Sequence, residues 1–221
     1  MNHRETVINN FGSAAANYRS STIHGNAEKL AQMVQLLGVQ TEYVVLDVAT
    51  GAGHTALALA PQVKQVTAID ITGQMLAQAR AETEIRGLDN IDFIEADVHK
   101  LPFADDVFDV VACRYAAHHF SEIQTAIDEM HRVLKPGGRL YILDCSVVGD
   151  AATKDIVNKA ETLRDDSHIC LYSKEEWKTM LAKAGFQVKH SEVQRTLYLL
   201  PLWFDTIETP GENRKEVLRV L

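Results

Sequence analysis

Five times along the chain a short run rich in Val, Ile and Phe gives way to a longer stretch with helical spacing. The runs at 44–46, 66–69, 91–95, 107–113 and 140–143 read as strands. From about His54, Ala56, Leu57 and Ala60 recur at helical spacing, and Met75, Leu76 and Ala79 do so between Thr72 as a cap and Gly87 as a stop. Ile123, Ile127, Met130 and Leu134 mark a further helix over 121–134, followed by a turn at Pro136-Gly137-Gly138. Residues 23–37, with Leu30, Val34 and Leu37 on one face and Gly38 as the stop, read as a helix ahead of the first strand. Strands alternating with helices predict an α/β fold: a doubly wound, mostly parallel sheet with helices on both faces.

The ends of the chain break this rhythm. Residues 2–22 are polar apart from Val7, Ile8, Phe11 and Tyr18, and read as a short helix followed by a flexible segment. We take residues 1–22 as a flap or terminal extension, and 23–221 as one domain with a covering insertion at about 147–172. In that insertion Ile156, Ala160 and Leu163 form an apolar stripe. Asn158, Glu161 and Asp165 fall on another face, read first as solvated, with a polar pocket lining ending at His168 as the alternative. A helix over 175–184 carries Trp177 and Leu181, and 186–192 is expected as a sixth strand that 196–200 extends or pairs with. Residues 212–221 look helical, and no seventh strand is visible. An uncovered sheet edge would leave both monomer and homodimer open.

Composition narrows the function classes. With 221 residues, 46% of them hydrophobic, the chain suits one large domain. A net charge of −8 argues against a nucleic-acid backbone as partner. No apolar run approaches the ~20 residues of a membrane helix, and the first residues lack a signal-peptide core. Cys113, Cys145 and Cys170 are widely spaced and read as reduced thiols, which suits a cytoplasmic location; they do not suggest a metal site.

The chemistry gathers where strands end. After 44–46 come Asp47 and a turn with Gly51 and Gly53. Glycines let a ligand approach the backbone closely. A carboxylate four residues before the first glycine would repel a pyrophosphate but suits a ligand with a cationic end, such as S-adenosylmethionine (SAM). Asp70 lies 19 residues beyond Gly51, where a ribose diol is bound in doubly wound folds, although it could also merely cap the following helix. Asp97 ends the third strand beside the same crevice and could accept the adenine amino hydrogens. A nicotinamide-dependent reductase is the competing reading, but no tyrosine here has a lysine four residues later.

Leu46-Asp47-Val48-Ala49-Thr50-Gly51-Ala52-Gly53, Ala68-Ile69-Asp70, Ala96-Asp97-Val98, Leu101-Pro102-Phe103, Phe108-Asp109 and Arg132-Val133-Leu134-Lys135-Pro136-Gly137-Gly138 follow one another in order. Together they resemble the class I SAM-dependent methyltransferases, in the type 11 branch that includes the ubiquinone/menaquinone C-methyltransferases. The quinone enzymes typically carry Arg-Asn where this chain has His118-His119.

The resemblance implies a Rossmann-like fold, SAM as cofactor and S-adenosylhomocysteine as product. It implies that Thr50, Gly51 and Gly53 lie under the methionine part, with Asp47 helping to hold the ammonium. Asp70 would take the ribose, Ile71 or Met75 would pack on adenine, and Asp97 with the Val98 N–H would read its edge. Arg114 would start the segment passing the methyl group. A carbon or oxygen acceptor benefits from losing a proton, so His118 and His119 are the candidate bases, although neighbouring histidines can also simply cap or pack. Tyr18 and Tyr115 could orient the acceptor. The acceptor is expected to be a small molecule; a non-catalytic SAM-binding module is the alternative.

Overall fold

The structure, a computed structural model, describes residues 2–195 and 199–221. β1 (Val44–Val48), β2 (Gln65–Asp70), β3 (Ile91–Glu95), β4 (Phe108–Arg114) and β5 (Leu134–Leu143) form one parallel sheet in the order β3-β2-β1-β4-β5. The order reverses beside β1, so the crevice opens at the carboxyl ends of β1, β2 and β4. This is the expected doubly wound sheet.

Alternating side chains of the central strands feed two cores. Leu46, Val48, Val111 and Cys113 pack against α5 (Ile123–Arg132) through Ile127 and Met130, and against Trp177 and Leu181 of α7 (Lys174–Lys183). Val45, Val66 and Val110 on the other face meet Met33 and Leu37 of α2 (Ala27–Leu37). Leu59 of α3 (His54–Leu59) and Leu76 of α4 (Gly73–Arg86) complete that layer.

The expected turn at Pro136-Gly137-Gly138 lies inside β5, as a bulge between the Phe108–Leu134 and Val110–Arg139 pairs. Proline, lacking an N–H, is tolerated on this outer strand.

Residues 3–19 are not a short helix but one continuous one, α1 (His3–Arg19). Asn2 and Glu5 form a reciprocal capping box at its start, and Arg19 meets Glu82 of α4 at 3.0 Å near its end. After β5 come α6 (Ala151–Arg164), then α8 (Leu200–Thr206) and α9 (Gly211–Val220), joined through Ala160, Phe204 and Val217.

The expected sixth strand is not formed. Residues 187–195 are exposed and belong to no strand. Phe186 and Val188 share one face of an extended chain, but His190 and Glu192 follow on it and Val193 falls on the other, so no apolar face persists. Of the segment 196–200, Leu200 opens α8 and 196–198 lie outside the described residues.

Gly53 shows how tightly the layers meet. At φ +88°, a Cβ there would stand 2.8 Å from the Cβ of Ala79, whereas one at Gly51, at φ +54°, would meet nothing within 4 Å. Gly53→Ala should therefore lose at least about 2 kcal/mol of stability in urea denaturation, against about 1 kcal/mol for Gly51→Ala. Equal losses would contradict this packing.

Candidate active site

A cavity of about 190 Å³ opens at the carboxyl ends of the central strands. Thr50, Gly51, Asp70, Ile71, Met75, Asp97, Val98 and Arg114, all expected at the cofactor, lie on its wall. Two residues there hold left-handed backbone without being glycine: Ala49 after β1 (φ +51°) and Tyr115 after β4 (φ +53°). Such strain persists where the surroundings impose it. The Thr50 N–H donates to the Ile69 carbonyl at 2.8 Å, and the Tyr115 N–H to the Leu143 carbonyl at 2.7 Å, pinning both strand ends to their neighbours.

Asp70 organises one end. Its Oδ2 accepts from the Gly51 N–H at 2.8 Å and its Oδ1 from the Thr72 N–H at 2.9 Å. Burial raises its carboxyl above the ordinary range, with those backbone donors pulling the other way. Asp97 accepts from the His99 N–H and Nδ1 at 2.9 and 2.7 Å. Burial opposes its ionisation, but the His99 bonds win and its carboxyl titrates below the usual value. Thr72 stands at the N-terminal cap of α4 as expected, yet its hydroxyl makes no capping bond and is buried without a partner among the described residues.

Three expected site residues lie off the wall. Asp47 is buried behind it, where its Oδ2 accepts from the Thr50 hydroxyl at 2.5 Å and the Ala56 N–H at 3.1 Å. From there it braces the turn that carries Thr50 and leads into α3. Gly53 serves the α3–α4 approach instead of the cavity. His118 also stands back, while His119 reaches the wall.

α1 forms the opposite wall through His3, Arg4, Val7, Phe11 and Tyr18. Phe11 lies edge-on to His119 at 4.9 Å and 5.4 Å from Tyr18. Tyr18 meets His24 at 4.9 Å, and His24 meets Tyr115 at 5.3 Å. Five rings thus run in an arc along one end of the cavity. Burial, with Arg114 and other cations nearby, brings His24 down to about 3, so this ring is neutral.

Behind the arc sits a buried histidine cluster. Asp144, at the end of β5, accepts from the His118 N–H at 2.9 Å and from its Nδ1 at 2.5 Å. Burial pulls His118 down, but Asp144 outweighs it and holds the imidazole above its ordinary value. The His119 ring is 4.2 Å away, and burial together with the charge of His118 keeps it neutral. Its Nδ1–H donates to the Ser167 carbonyl at 3.0 Å.

The face of α6 expected to be solvated is turned to this cluster. Asn158 accepts from His168 at 2.8 Å, Glu161 pairs with Arg164 at 3.1 Å, and Asp165 is buried. Of the expected apolar stripe, Ala160 is buried and Leu163 packs beside it, while Ile156 is exposed. Polar groups go inside here because residues 164–171 and Asn10 of α1 supply their partners.

Residues 40–185 match the family model for a methyltransferase domain. The chain belongs to this methyltransferase family. It is 34% identical over 212 residues to a Bacillus subtilis (strain 168) protein described as "Uncharacterized methyltransferase YcgJ", covering 94% of this chain and 82% of that one. It is also 34% identical to the ubiquinone/menaquinone biosynthesis C-methyltransferase UbiE of Pseudomonas fluorescens (strain SBW25), over 82% of this chain and 81% of the relative. The crystal structure of the Bacillus YcgJ protein superposes with a TM-score of 0.82, covering 87% of this chain and 82% of the other. The protein is a SAM-dependent methyltransferase. Its wall suits that cofactor: it presents acids to a phosphate-free nucleoside, an orphaned Thr72 hydroxyl, and open space above Gly51.

Sequence reasoning offered residues 1–22 as a flap and Tyr18 at the acceptor, but did not place His3, Arg4, Val7 and Phe11 on the wall, and it missed His24 and the role of Asp144. Val7, Phe11 and Tyr18 share a helical face, and Asp144 repeats the pattern of an acid at a strand tip, so both signals were present. Nothing local marks His24.

Burial pushes the Asp47 carboxyl up to about 7 from 3.8, so the folded protein holds this proton more tightly than the unfolded chain. Its contribution to stability is present at low pH and is lost as pH rises from 3.8 to about 7. Asp47→Asn, which keeps an oxygen acceptor, should therefore gain stability relative to the native protein as pH is raised across that window. Urea denaturation at both ends would reveal it; a constant difference would contradict it.

Proposed function

We propose that this methyltransferase moves the methyl group of SAM to a small-molecule acceptor by in-line displacement. The observation that carries this reading is one cavity with two chemically distinct ends, an acidic one at Asp70 and Asp97 and an aromatic one under α1. When bound, SAM supplies a methyl group already activated by its sulfonium and leaves as S-adenosylhomocysteine. Asp70 accepts from the ribose hydroxyls, Asp97 and the Val98 N–H read adenine, and Ile71 and Met75 pack on it. Residues 1–22 act as the flap, with Phe11 and Tyr18 excluding water and orienting the acceptor.

His119 is the base that the geometry favours in this reading, because it lies on the cavity wall and is neutral. Its Nδ1–H is committed to the Ser167 carbonyl, so the proton it takes from the acceptor goes to Nε2. His118, held by Asp144, stands behind it.

The test is incubation with methyl-labelled SAM and a bacterial small-molecule extract. Label should enter a small molecule, and His119→Ala should lower turnover at least ~100-fold. Because burial and the charge of His118 hold His119 below its ordinary value, the acidic limb of the rate profile should move to higher pH in His118→Gln. No incorporation by folded protein would count against the reading, and undiminished turnover in His119→Ala would remove the base.

A further inference from the structure

A proton taken up by His119 puts a charge where the surroundings resist it. The ring is buried 4.2 Å from His118, which Asp144 holds above its ordinary value, and 6.3 Å from His168. His3 of α1 donates to the His119 carbonyl at 2.8 Å. A second imidazolium beside His118 needs an anion to answer it.

Asp165 is placed to do so. It caps the end of α6 and is 3% exposed. Its Oδ1 is fully engaged, accepting from the Ser167 N–H at 2.9 Å, the Ser167 hydroxyl at 2.6 Å and the Asn10 side chain at 3.1 Å. Its Oδ2 is buried with no hydrogen-bond partner among the described residues. That oxygen lies 3.9 Å from Nε2 of His119, the nitrogen left open by the Nδ1–H bond to Ser167. The gap is too wide for a hydrogen bond, and the neutral ring has only a lone pair there to offer. A proton on Nε2 turns the same pair of atoms into a charge-assisted contact that a movement of about 1 Å completes. The other charged or titratable groups near Asp165 are Arg164, Asp166 and the Tyr18 phenol, and none of them bonds to Oδ2. An unpaired buried carboxylate oxygen is costly, and a partner that arises only during the reaction accounts for it.

We propose that Asp165 is the charge partner of His119, receiving the imidazolium that forms when the acceptor gives up its proton. This rests on the base reading above. In that step the acceptor atom keeps the electron pair of its broken bond to hydrogen and uses it to bond the methyl carbon. The carbon–sulfur pair stays with sulfur, and the proton rests on Nε2 against Oδ2 until product leaves. Asp165 stands off the cavity wall and acts through His119, so it is a positioning residue. Asn10 and Ser167 hold Oδ1 and thereby aim Oδ2, which ties the cover helix α1 to the base.

NMR titration of histidine-labelled protein saturated with S-adenosylhomocysteine tests this without an acceptor, the His119 signal being assigned by its loss in His119→Gln. In the native protein Nε2 should take a proton while the fold is intact, and its N–H should be protected from exchange with water. In Asp165→Asn, which keeps an Oδ1 acceptor, His119 should be at least about tenfold harder to protonate, while affinity for S-adenosylhomocysteine stays within about threefold. The acidic limb of methyl incorporation should move to lower pH in the same variant, which a loss of packing alone would not produce. A native His119 that stays neutral until acid unfolding overturns the assignment, as does an Nε2–H in free exchange, whether or not the variant folds. So does an unmoved titration in folded Asp165→Asn. Undiminished turnover in His119→Ala would instead remove the base reading, and this inference with it.

Discussion

The Asp70 carboxylate is the contact from which the site is built. One oxygen holds the Gly51 N–H of the turn after β1, and the other holds the Thr72 N–H at the start of α4. A single side chain at the end of β2 therefore sets the floor of the crevice on two sides. The position follows from topology. β2 lies beside β1 in a parallel sheet, so the ends of both strands open into the same crevice. Backbone donors only partly offset the desolvation of this acid, which leaves it raised above its ordinary range yet buried, oriented and on the cavity wall.

The central strands, the helices between them and the acids at their tips were legible in the sequence because each is local. A run such as Val44-Val45-Leu46 marks a strand of a parallel sheet, and the turn that follows the strand opens at the crevice. Wall and support were harder to separate. Asp47 and Gly53 flank the same turn as Gly51, yet one braces it from behind and the other lets α3 approach α4. Spacing alone does not record which way a residue faces on an irregular turn.

The acceptor side depended on which way α6 faces, and helical spacing does not record that: the chain after α6 folds back on it and α1 covers it. Asn158, Glu161 and Asp165 have the spacing of a solvated helix face, but the structure sets them beside His168, Arg164 and Ser167. α1 closes over the same cluster: His3 donates to the His119 carbonyl at 2.8 Å, and Asn10 reaches Asp165 and Asp166 at 3.1 and 2.6 Å. Cover and histidines are thus tied by polar bonds, beneath an arc of rings. The same dependence explains residues 186–192: without a continuous apolar face and a neighbour to pair with, β-rich composition does not make a strand.

The central claim is that Asp70 and the turn it holds form the floor of a nucleoside site. Calorimetric titration of S-adenosylhomocysteine into the native protein and into Asp70→Ala tests it most directly. The account predicts one site per chain and an affinity loss of at least tenfold in the variant, about 1.4 kcal/mol. Native-like affinity in a folded Asp70→Ala would contradict it.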